Sequence, residues 1–221
     1  MIRNLFKIRV LGISLLLGLC LNAPIVAQAR LGPTAIKISD GHTMLTINSE
    51  VDSLLLELKG QKVELKATSN VPIFNIDGKL VQIVTAEIGN FVTGAERPAD
   101  SGILEKHKVW ESDYASEHFG KLQVESEALS VNNTASLFWG FKRTKLNESY
   151  DRDYFLTRVV GKNVLVLSSP LKPGESVAEY KTFLVRVMET LRLSDKPIDI
   201  VKIAEDVRKS AAAKENKPPQ R

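Results

Sequence analysis

His107, Glu111, Tyr114 and His118 are the residues of this 221-residue chain whose types and spacing come nearest to a chemical site. They fall at offsets of four, seven and eleven, so on a helix all four share one side. Imidazole and carboxylate together can bind a metal or exchange a proton. Length excludes one ion held by the whole set. At about 1.5 Å per residue, His107 and His118 stand about 16 Å apart along a helix, whereas zinc needs its ligand atoms about 2 Å away. His107 and Glu111 can share an ion only with a third ligand from elsewhere, and His42 is the one histidine left. The competing reading, and the expected one, is a histidine at the edge of a core, bonded to a neighbouring carboxylate.

Other chemistries find less support. No Gly-x-Ser-x-Gly elbow occurs, and Ser168-Ser169 before Pro170 reads as a turn after a strand rather than a nucleophile. Asp151 and Asp153 beside Arg152 read as water-facing acids rather than a glycosidase pair. Gly-x-Gly-x-x-Gly and P-loop patterns are both absent, and no cofactor is expected. Leu137-Phe138-Trp139-Gly140-Phe141 is the densest aromatic stretch. On a strand Leu137, Trp139 and Phe141 point one way and Phe138 the other. Trp139 is thus a candidate stacking platform for carbohydrate or peptide, with core packing as the default, and Gly140 leaves room for a ring or marks a bulge. The binding candidates are His107, Glu111 and Trp139; no catalytic or metal-ligating set is assigned.

The N-terminus carries an address. Arg3, Lys7 and Arg9 precede an apolar run of about a dozen residues, and Ala27-Gln28-Ala29 supplies a small-x-small cleavage pattern. Residues 1–29 therefore read as a cleavable signal peptide, too short in its apolar part for the roughly 20 residues of a membrane span. No later stretch approaches that length, so no transmembrane segment is expected after cleavage. Cys20 follows Leu17-Gly18-Leu19, and the bulky Leu19 sits where a lipoprotein signal has a small residue, so ordinary cleavage is expected over a lipid or membrane anchor. The expected location is the periplasm or the extracellular space.

Cleavage removes three basic residues and no acid, lowering the net charge from +4 to about +1. Much of the remaining basic excess lies in the tail from Lys202 to Arg221, so a nucleic-acid partner is not expected. Cys20 is the only cysteine, which leaves the exported chain without a disulfide and dependent on its core. Asn132-Asn133-Thr134 and Asn147-Glu148-Ser149 match the glycosylation sequon and matter only in a eukaryotic secretory route.

Strands and tight turns dominate the elements that must position these residues. Strands are expected at residues 43–47, 54–58, 63–67, 73–76 and 80–84, with hairpins at Gly60-Gln61 and Asp77-Gly78. A helix is expected over 101–119, with Ser101 as N-cap, Gly120 as its end and Ile103, Leu104, Trp110 and Tyr114 on the sheet-facing side. Strands at 122–131, 135–141 and 154–160 follow, and a hairpin at Gly161-Lys162 leads into 164–167. An amphipathic helix from about Glu175 carries Val177, Tyr180, Leu184, Val187, Met188 and Leu191, and Pro197 breaks it before a last helix near 199–213. The expected fold class is α+β, a mainly antiparallel sheet of about six to eight strands covered by two or three helices. The expected organisation is a signal peptide (1–29), one domain (30–198) and a C-terminal helix with a disordered basic tail (199–221).

Residues 154–167, from Tyr154-Phe155-Leu156 through Gly161-Lys162 to Val166-Leu167, followed by the long helix ending in Leu191-Arg192-Leu193, resemble the closing part of the Mog1/PsbP-like α/β/α fold. The similarity spans about residues 73–193 and is one of pattern. It implies a non-catalytic accessory protein that binds other proteins. The functional expectation is therefore an exported binding or accessory protein with a protein or envelope partner. The alternative is an exported hydrolase or metal-dependent enzyme using His107 and Glu111.

Overall fold

A computed structural model describes residues 32–49, 52–66, 71–143 and 149–215. The proposed signal peptide, Cys20, Asn147 and the last six residues lie outside the described residues. Among the described residues eleven strands form two sheets. β1 (Gly32–Ser39), β2 (His42–Asn48), β3 (Ser53–Lys59) and β11 (Arg192–Ser194) form the smaller one, in that order. The larger has the order β4-β5-β6-β10-β9-β8-β7, from β4 (Val63–Lys66), β5 (Ile73–Ile76), β6 (Lys79–Glu87), β7 (Gln123–Val131), β8 (Thr134–Lys142), β9 (Arg152–Val160) and β10 (Asn163–Leu171). Every strand pair is antiparallel. The α+β class and the seven-stranded main sheet match expectation; the separate four-stranded sheet is additional.

Turn chemistry sets the hairpins of the main sheet. Asp77 and Gly78 join β5 to β6 with φ of 52° and 88°, and Asn132 and Asn133 join β7 to β8 with φ of 50° and 59°. Two successive positive φ values give the mirror-image turn whose twist matches paired strands, and Asn, Asp and Gly tolerate it best. The hairpin expected at Gly60-Gln61 does not form. Instead the chain leaves the small sheet there and enters the large one. Gly60 N donates to Gly41 O at 3.0 Å and Val63 N to Asp40 O at 2.7 Å, tying the crossing to the β1–β2 turn. The Asp77 carboxylate accepts from Gln61 N at 3.1 Å and Lys62 N at 2.8 Å. A Cβ on Gly60 would lie 2.5 Å from Asp77 Oδ2, so this glycine serves close approach.

Among the described residues three α-helices cover the sheets. α1 (Asp100–Phe119) packs on β8 and β9 over a cluster that includes Ile103, Leu104, Trp139 and Val164. Ser101 is not its cap: the N-cap is Ala99 without a side-chain bond, and Asp100 supplies the acid of the first turn. Gly120 ends it with φ of 79°, as expected. On the other face of the main sheet, α2 (Val177–Glu189) packs against β9, β10 and β3. Its apolar stripe, Tyr180, Phe183, Leu184, Val187 and Met188, joins the small sheet's Leu45, Leu54, Leu56 and Leu58 in one core. The Ser176 side chain caps it by accepting from Glu179 N.

Leu191-Arg192-Leu193 does not continue that helix. α2 stops at Glu189, and β11 pairs with β3. Glu57 N donates to Thr190 Oγ1 at 2.9 Å, and the Arg192 guanidinium bonds the Glu57 carboxylate, so β3 captures the segment from both sides. α3 (Ile200–Glu215) lies on β1 and β2, burying Ile200 and Ala204 against Met44 and Leu55. Asn48 fixes its approach, accepting from Ile198 N at 2.9 Å and donating to Ile198 O at 3.0 Å. No described helix is long and apolar enough to cross a membrane.

Replacing Asp77 removes two bonds to backbone N–H groups and places a less tolerant residue at positive φ. Asp77→Ala is expected to cost about 2 kcal/mol, read as a lower urea midpoint with an unchanged slope.

Candidate functional site

α1 separates the residues nominated by spacing. His107 is 1% exposed and faces the sheet, whereas Tyr114 is 60% exposed, so Tyr114 does not join the sheet-facing side. Tyr114 and His118 pair with each other in solvent, rings 4.8 Å apart. His107 sits among aromatic rings, 5.2 Å from Phe91, 6.0 Å from Trp110 and 6.5 Å from Trp139 between centroids. Among the described residues no carboxylate bonds it, and its buried Nδ1 has no hydrogen-bond partner, nor does the neighbouring Trp139 Nε1. Burial depresses the His107 pKa to about 4 and pushes the Glu111 carboxyl upward. His42 lies on the other sheet, Nε2 3.2 Å from Glu57 Oε2. Among the described residues no group of three His, Cys, Asp or Glu is placed to hold a metal.

Trp139 offers no platform. It is fully buried and stacked on Phe155 at 4.1 Å and 11°. Asp151 and Asp153 are each held by an arginine: Arg152 Nε reaches Asp151 at 3.2 Å, and Arg143 grips Asp153 with two bonds of 2.6 and 2.9 Å. Ser169 is buried, its Oγ donating to Leu80 O. In the first sequon the Asn132 side chain donates to Glu189 O at 2.8 Å, tying the hairpin tip to the end of α2.

A different constellation forms on the inner face of the main sheet, where three strands meet in register. Glu125 on β7 pairs with Gly140 on β8, and Gly140 with Tyr154 on β9. A Cβ at Gly140 would lie 2.4 Å from Tyr154 Cδ1 and 2.6 Å from Asp153 O. The missing side chain therefore lets the Tyr154 ring lie across β8, where it stacks on Phe138 at 5.2 Å and 7° and donates its hydroxyl to Glu125. Neither pairing shifts register, so Gly140 makes room for a ring and marks no bulge.

This row floors a groove between edge strand β7 and the start of α2. One part, about 700 Å³, is lined by Glu125, Lys142, Arg152, Tyr154 and Val177. A second, about 390 Å³, shares Glu125 and Val177 and continues along Glu127, Phe138 and Lys181. Arg152 braces the far wall by donating from Nη2 to Glu175 O at 3.0 Å. The Glu175 carboxylate accepts from Lys172 N at 2.7 Å and the Tyr180 hydroxyl at 2.8 Å. Lys181 meets the Glu127 carboxylate at 2.7 Å. Burial and the Glu125 carboxylate push the Tyr154 phenol up to about 12. The lining supplies charge and hydroxyl groups beside an apolar floor, which suits polar recognition. Sequence reasoning missed Glu125, Glu127 and Tyr154 because the two acids lie on β7 and the tyrosine on β9, and only register brings them together.

Two outcomes follow. His107 is held neutral, so its contribution is complete above pH 6.5 and is lost as pH falls toward about 4. Wild type is expected to lose roughly 2 to 3 kcal/mol more than His107→Leu over that window, measured by urea unfolding at each pH. Gly140→Ala is expected to cost about 2 kcal/mol and to return the Tyr154 phenol toward its ordinary titration near 10. Alkaline absorbance titration checks the second effect, with Tyr154→Phe identifying the transition.

No protein-family model matches the chain, and no curated protein does. Among solved structures the chain is similar to the solution structure of cyanobacterial PsbP (CyanoP) from Synechocystis sp. PCC 6803. The match covers 80% of this chain and 99% of that one, at 14% sequence identity and a TM-score of 0.38.

Proposed function

We propose that this chain is an exported, non-catalytic accessory protein that binds another protein of the cell envelope through the groove between β7 and α2. The observation that carries the reading is the row Glu125–Gly140–Tyr154. It floors a groove along an open strand edge and sets the exposed Glu125 carboxylate at its rim. Of the two residues of the rival enzyme reading, His107 lies among the rings of Phe91, Trp110 and Trp139, and Glu111 is half-buried on the same helix. Export is supported by the basic start, the apolar run and Ala27-Gln28-Ala29.

Each half has its own test. N-terminal sequencing of protein recovered from the envelope fraction is expected to begin at Arg30; an intact Met1 in the cytosol would overturn export. For binding, a photoreactive residue replaces Ala178, exposed on the α2 side of the groove, or, as control, Leu65 on β4 at the other end of the sheet. The reading expects one envelope protein crosslinked from position 178, none from 65, and loss of the adduct in the Gly140→Ala background. Equal adducts from both positions, or none from 178 at good expression, would sink it.

A further inference from the structure

We propose that the free edge of β7 accepts an extended segment of a partner protein as an added antiparallel strand, and that the segment alternates basic with small apolar side chains. The inference rests on the groove being the partner site and names what the partner must present.

β7 ends the main sheet and is paired on one side only, with β8, through nine consecutive positions without a bulge. Residues 123–128 are all exposed, so no described element covers it. The opposite end, β4, has only four residues. Val131 and Thr134 close the two-residue turn and are the hydrogen-bonded pair beside it. Alternating from there, the N–H and C=O of Val124, Ser126 and Ala128 point away from β8, toward solvent. An unpaired row of this length is a template for another strand.

Side chains on the two faces say which strand. On the groove face Glu125 and Glu127 stand along the edge, and inward-pointing charges deter pairing with an apolar strand. The same carboxylates attract cations placed directly across from them. Lys181 already meets Glu127, but the carboxylate is 55% exposed, and an ion pair this wet exchanges readily. On the other face Val124 is 41% exposed and Ala128 is exposed, which favours small apolar neighbours. There Lys108 donates to Ser126 Oγ at 3.0 Å, which disfavours a cation on that side. A second copy of this chain is a poor occupant, because two β7 edges would bring Glu125 and Glu127 against the same acids. The occupant is therefore a foreign segment reading basic, apolar, basic.

In antiparallel addition, partner residues opposite Val124, Ser126 and Ala128 donate their N–H groups into β7, and these are the apolar ones. The probe is a fluorescent peptide of alternating lysine and valine, as long as β7, binding the intact protein by anisotropy. N-methylation of its valines is expected to weaken binding by at least about tenfold, while N-methylation of its lysines changes it by less than about twofold. Glu125→Gln with Glu127→Gln is expected to weaken the unmodified peptide by about tenfold, in a variant whose urea midpoint confirms folding. Equal effects of the two methylated forms, loss with the lysine-methylated form alone, or no binding at millimolar peptide would overturn strand addition. Crosslinking from position 178 would survive each of those results, so this proposal can fail while the partner site stands.

Discussion

The Tyr154 ring lies where a β-carbon on Gly140 would have to be, and the inner face of the main sheet is organised around that overlap. With the ring across β8, its hydroxyl ends at Glu125 on the edge strand, and its face covers Phe138. A glycine inside a strand ordinarily weakens it, having no side chain to pack and more backbone freedom to lose. Here the neighbouring ring fills the gap and spans three strands, so the loss is offset by packing. Arg152, two residues before Tyr154, ties the same strand to the loop before α2. One strand thereby positions both walls of the groove.

The small sheet answers a different need. The main sheet has two faces to cover; α1 covers the outer one on β8 and β9, and α2 alone covers part of the inner one. Leu45, Leu54, Leu56 and Leu58 from the small sheet complete the inner core together with Phe74, Ile76, Val81 and Ile83. That leaves the small sheet with an outer face of its own, which α3 closes over Met44 and Leu55. The helix at the C-terminal end is therefore part of the packing.

Hairpins with strong turn chemistry were legible, because Asp77, Gly78 and Gly161 supply positive φ within an alternating pattern. Gly60-Gln61 presents the same surface signal, yet its glycine answers a steric demand from Asp77, seventeen residues on, which no local pattern reveals. Helical periodicity located α1 and α2 but not their faces or ends. α1 carries polar residues on its buried side, His107 above all, so apolar spacing misplaced Tyr114. Leu191 to Leu193 extends the apolar stripe of α2 by periodicity, yet β3 has an open edge there and tertiary pairing wins. The groove was unreadable for the same kind of reason: Glu125 and Tyr154 are 29 residues apart and meet only through register.

β3 closes against β11, and the ion pair that seals them joins residues 135 apart in sequence. A pairing that distant forms slowly, because the loop it closes must be ordered before any contact rewards it. The four-stranded sheet thus stays unfinished until residues 192–194 have left the ribosome, while the hairpins of the main sheet are local and quick. Topology alone thus lets the large sheet begin to assemble while the small one is still incomplete. The last strand to arrive is the one that locks the small sheet.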